Sequence, residues 1–127
     1  MLFASVVFAA GITKKDLAGL KGTWMGSATT GGGADMTVVV EIMNDAEPLQ
    51  AKMTLTNLPQ KAKTDYALTE PLVGESNNGK ITSAGTIMFL GASPSNFFEI
   101  TSIGKDKKLS GWFYFNGLRA NVTATKK

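Results

Sequence analysis

The chain contains neither histidine nor cysteine, so any chemistry falls to carboxylates, hydroxyls, amides, lysines and a single arginine. That excludes disulfides, thiol nucleophiles, His- or Cys-ligated metals and haem, and every Ser-His-Asp arrangement. Two carboxylates stand where a general acid could be made. Glu41 lies between Val40 and Ile42, and Glu99 between Phe98 and Ile100. Turned inward, either would be desolvated and become a candidate acid. The alternation around them puts both on the face opposite the apolar set, so solvent exposure is the expectation and no catalytic residue is assigned. Asp45, Glu47, Asp65, Glu70 and Glu75 fall in turns and fit no calcium-loop spacing, so neither a metal nor a cofactor is expected. Gly31-Gly32-Gly33 precedes a strand and lacks a following Lys-Ser/Thr, which makes it a turn rather than a phosphate loop.

A second constellation is Trp112, Tyr114, Arg119 and Asn121. Flat aromatic surfaces beside a guanidinium and an amide could stack a sugar, a base or a peptide, or form a subunit interface. What brings these four together is a hairpin. Asn116-Gly117 is the favoured two-residue turn, because both central positions take positive φ. A two-residue loop fixes the register. Leu109, Gly111, Phe113 and Phe115 then face Ala124, Val122, Ala120 and Leu118 on one apolar side. Tyr114 faces Arg119, Trp112 faces Asn121 and Ser110 faces Thr123 on the other.

The same two-residue alternation runs through most of the chain. Gly22–Thr30, Met36–Asn44 and the segment around Ala51, Met53 and Leu55 read as strands with one face buried. Pro59–Lys63 reads as loop, Asp65–Thr69 as a weak strand, and Pro71–Gly79 as a long turn-rich connection. Ile81–Ala84 and Thr86–Leu90 read as short strands, followed by a turn at Ser93–Asn96 and a strand over Asn96–Ile103. Before them, Thr13 with Asp16 three residues on can cap a short helical turn that presents Leu17 and Leu20. The fold expected is all-β: one antiparallel up-and-down β-barrel of about eight strands with a short N-terminal helical segment. Closure removes the sheet edges that would invite aggregation. Gly26 and Gly111 suit the tight coiling of a small barrel.

Leu17-Ala18-Gly19-Leu20-Lys21-Gly22-Thr23-Trp24, a helical turn followed by Gly-x-Trp at the first strand, resembles the opening of the calycin barrels: lipocalins, fatty-acid-binding proteins and avidins. The resemblance implies a cup that binds a small, largely apolar molecule. It also implies that Trp24 plugs the closed end, with Arg119 as the one arginine able to match the basic partner that packs across that Trp.

On this reading the inward residues are Trp24, Val38, Val40, Ile42, Met53, Leu55, Phe89, Phe98, Ile100, Phe113 and Phe115. Trp24, Val40, Met53, Phe89, Phe98 and Phe113 are the candidate ligand contacts. Many of these are large, and an eight-stranded barrel is just wide enough to be filled by its own side chains. Two functions follow. One is a non-enzymatic barrel holding a small apolar or amphipathic ligand; the other is an interaction or homo-oligomerising module using Trp112, Tyr114, Arg119 and Asn121 on its outer surface. Thirteen basic against ten acidic residues is a scattered excess with one arginine, which argues against nucleic acid. Residues 1–12 are apolar and uncharged but short of the roughly 20 residues of a spanning helix, so no stable membrane insertion is expected. They suit a signal-peptide remnant, with periplasmic or secreted localisation, or an N-terminal extension of a single domain over 13–127.

Overall fold

The computed structural model describes residues 11–33, 35–91 and 97–127. Eight antiparallel strands close into a barrel in simple up-and-down order. They are β1 (Gly22–Thr30), β2 (Asp35–Ile42), β3 (Leu49–Thr56), β4 (Leu72–Ile81), β5 (Ile87–Leu90), β6 (Phe97–Ile103), β7 (Lys108–Phe115) and β8 (Leu118–Lys126). β8 pairs back onto β1, from Trp24 opposite Lys126 to Thr30 opposite Ala120.

Alternation does the sorting. On β2 the residues Met36, Val38, Val40 and Ile42 are buried, as are Leu49, Ala51, Met53 and Leu55 on β3. The final hairpin has the register its turn dictates, with Asn116 and Gly117 at φ 51° and 94°. Its apolar side points inward and the Trp112 side points out. Phe115 alone of the expected inward set is only half-buried, packed at the core's margin. Tight coiling brings backbones together at two glycines. A Cβ at Gly26 would run into the Thr123 carbonyl, and one at Gly111 into the Glu99 carbonyl.

Both ends are stoppered. At one, a 3-10 turn (Lys14–Asp16) runs into α1 (Leu17–Leu20), and the Asp16 carboxylate accepts the Thr13 N–H at 2.8 Å. Leu17 and Leu20 are buried there beside Trp24, whose indole N–H donates to the Leu20 carbonyl at 2.8 Å. Ile12 belongs to this end too: it is buried, and its N–H donates to Gly85 O at 2.7 Å. The rest of the expected signal or extension, residues 1–10, lies outside the described residues. Among the described residues no helix is long and apolar enough to cross a membrane.

The opposite end departs from expectation. The segment read as loop and weak strand contains a helix, α2 (Gln60–Asp65). Ala62 of this helix is buried, as are Leu58 before it and Leu68 after it, with Tyr66 packed alongside. The Glu70 carboxylate ties the segment's two ends by accepting the Leu58 N–H at 2.9 Å. The stretch read as a turn-rich connection is β4, and only Ile81 of the expected Ile81–Ala84 strand is in it; Thr82–Thr86 turns into β5. β4 pairs along β3 but with β5 only at Lys80 and Ile81. Where β4 and β5 part, the Asn78 side-chain carbonyl accepts the Leu90 N–H at 3.0 Å in place of a ladder bond.

Candidate functional site

The six inward candidates fall into two cross-strand rows. Trp24, Val40 and Met53 are successive partners across β1, β2 and β3. Phe89, Phe98 and Phe113 are successive partners across β5, β6 and β7, with Phe89 and Phe98 stacked at 5.7 Å between ring centroids. All six are buried. They touch one another as packing. The crevice that reaches Met53, Phe89 and Phe98 between β4 and β5 has a volume of only about 40 Å3, far below the roughly 300 Å3 at which small-molecule pockets begin.

The four outward candidates do converge. Trp112 and Tyr114 alternate with buried Gly111 and Phe113 on β7, so they lie outside, half-buried; Arg119 and Asn121 are exposed beside them on β8. The Arg119 guanidinium lies over the Trp112 ring, 4.1 Å from its centroid. Phe97 completes the face. It meets Trp112 edge-on at 4.7 Å and lies 6.0 Å from Tyr114. Phe97 was absent from the sequence-derived set, yet Phe98 and Ile100 turning inward oblige Phe97 and Glu99 to turn outward. Glu99 is held on this face: its carboxylate accepts the Trp112 indole N–H at 2.8 Å. Glu41 is on the outer face elsewhere, opposite Lys52 of β3 and Thr23 of β1. The two carboxylates are therefore on separate patches and do not form a pair.

Arg119 is not the cation that crosses Trp24. It stands at the far end of β8, while Lys126 is the residue paired with Trp24. The Lys126 ammonium lies 5.9 Å from the Trp24 ring centroid and donates to Gly19 O at 2.8 Å, closing the end of α1. The reason is register: the two-residue turn places Arg119 second on its strand, and only the strand's last residues reach the Trp24 end.

A further feature was not legible in the sequence. A groove of about 420 Å3 runs between α2, the β1–β2 turn and the start of β8, with Pro59, Tyr66 and Leu118 among its walls and Arg119 at one side. Lys61 and Asp65, also on its wall, pair at 2.8 Å, and the carboxylate holds the ammonium above the ordinary lysine value. The chain matches no protein-family model, no curated protein and no solved structure.

Proposed function

We propose that this protein is a non-catalytic interaction module that self-associates through the outer aromatic face of β6, β7 and β8. The observation that carries the reading is the Arg119 guanidinium stacked on Trp112 while Glu99 holds the same ring's N–H. A cation on one flank and an anion on the other, across an aromatic centre, is self-complementary. A two-fold axis can set Arg119 of one copy against Glu99 of the next while the rings of Phe97, Trp112 and Tyr114 meet. Trp, Tyr and Arg are also the residues that dominate binding hot spots. The packed interior supports the same choice, since it leaves the exterior as the place where this barrel meets a partner.

The test is sedimentation equilibrium of the wild type against Tyr114→Glu and Arg119→Glu. The wild type should associate reversibly and both variants should remain monomers of unchanged fold. A wild type monomeric at millimolar concentration overturns the reading.

A second reading, a small apolar ligand in a calycin-like barrel, is favoured by the short β4–β5 pairing, where the crevice leads to Met53, Phe89 and Phe98. Native mass spectrometry of freshly purified protein tests it. A bound small molecule lost on Phe89→Trp would favour the interior over the face.

A further inference from the structure

The groove under α2 brings together segments that are distant in sequence: the Gly31-Gly32 turn, Pro59 to Tyr66, and Gly117 to Arg119. Two of its walls are an aromatic ring and bare backbone. One is the Tyr66 ring, which lies against Gly117 so closely that an added Cβ there would sit 3.2 Å from the ring edge. The other is glycine backbone at Gly31 and Gly32, which carries no side chain into the space. At about 420 Å3 the groove is within the range of small-molecule sites.

Its charge is specific. Of the three charged residues on the wall, Lys61 and Asp65 neutralise each other in an ion pair. Arg119 is left as the uncompensated cation: neither ion pair among the described residues, Lys61–Asp65 or Lys63–Glu70, includes it. Its guanidinium is moreover held in place. Contact with Trp112, 4.1 Å from the guanidinium carbon to the ring centroid, restrains the group beside the groove, and a guanidinium is a planar fork to which a carboxylate accepts two parallel hydrogen bonds. Holding the fork in advance removes part of the ordering cost of binding.

We propose that this groove is a binding site for a small aromatic carboxylate, its ring between Tyr66 and the Gly31-Gly32 backbone and its carboxylate on Arg119. A tyrosine ring and bare glycine backbone accommodate a ring better than a branched aliphatic body. A single free cation at its side selects a monoanion over a neutral or cationic analogue. The site does not require self-association, although Arg119 also serves the outer face.

Indole-3-acetate, indole-3-acetamide and tryptamine are titrated into the full chain, with binding read by calorimetry and by amide shifts. The acid should bind with Kd below about 1 mM and should shift Gly31, Gly32, Tyr66 and Gly117. The amide and the amine should bind at least about tenfold more weakly, and so should the acid on Arg119→Lys, which keeps the charge but loses the fork. Gly32→Phe should block the groove without disturbing the fold, since an added Cβ there meets only the Thr30 hydroxyl, at 3.8 Å. Equal binding of acid and amide, shifts confined to other surfaces, or no binding of the acid overturns the site. A phenylalanine-ended peptide with a free carboxylate that binds more tightly than the free acid also overturns it, in favour of a peptide-terminus pocket. Sedimentation in parallel separates the two proposals, because acid binding by a protein that stays monomeric removes the self-association and leaves this site standing.

Discussion

Arg119 and Trp112 are diagonal neighbours across the last hairpin, one row apart, and the guanidinium bridges that row to rest 4.1 Å above the indole. The stack is a consequence of the turn. Asn116-Gly117 sets Tyr114 opposite Arg119 and Trp112 opposite Asn121, so the arginine side chain has an aromatic ring on the next row within reach.

This contact is exposed, and its worth is modest. Arg119→Ala should lower stability by about 0.5–1 kcal/mol, the usual range for a solvent-facing cation–π pair. Urea midpoints measure the loss, and Trp112 emission should move to longer wavelength as water replaces the guanidinium.

At the opposite end Trp24 carries more. Trp24→Phe leaves the Leu20 carbonyl without its indole donor, and should cost about 1–3 kcal/mol beyond the change in packing. Lys126→Ala should cost less, because that ammonium is near the surface. Thermal unfolding of the two variants side by side gives the ordering.

Gly111→Ala tests the coiling. The added methyl has nowhere to go except into the Glu99 carbonyl on β6, and the strand pair must open to admit it. A loss of about 1–3 kcal/mol is expected from the overpacking. A neutral result in denaturant titration would mean that β6 and β7 stand farther apart than described.

Acid should loosen the α2 end first. The Glu70 carboxylate is held below the ordinary carboxylate value, chiefly by the Leu58 N–H and further by the Asn57 N–H and Lys63, against an opposing cost of burial. A carboxyl whose folded pKa is depressed contributes stability that is present above its unfolded pKa and lost as pH falls through the folded one. Exchange of the Leu58 amide should therefore speed up relative to core amides below about pH 4. In Glu70→Gln that pH dependence should disappear.

How much of this was written in the chain differs from element to element. The last hairpin was legible residue by residue, because turn chemistry and apolar alternation fix the same register independently. β2 and β3 were legible for the second reason alone. β4 was not: Glu75, Ser76, Asn77 and Asn78 are polar on both faces, and tertiary pairing of Glu75, Ser76 and Gly79 with β3 makes the stretch a strand. α2 was missed because six residues give too few turns for a period. Its one buried residue is Ala62, with Leu58 before the helix and Tyr66 just after it, and these three make sense only with a barrel mouth beneath them. The Trp112 face was legible through the hairpin, and Phe97 could have joined it from the alternation of β6. The groove could not have been read, since its walls become neighbours only when β8 closes onto β1.

The claim on which the functional account turns is that the barrel works from its outer face and not from its interior. Amide and indole N–H shifts recorded over a dilution series of the wild-type protein test it most directly. The account predicts concentration-dependent shifts at Phe97, Glu99, Arg119, Asn121 and the Trp112 indole, with Met53, Phe89 and Phe98 unmoved. Shifts concentrated on those inward residues, or a spectrum unchanged up to millimolar protein, would contradict it.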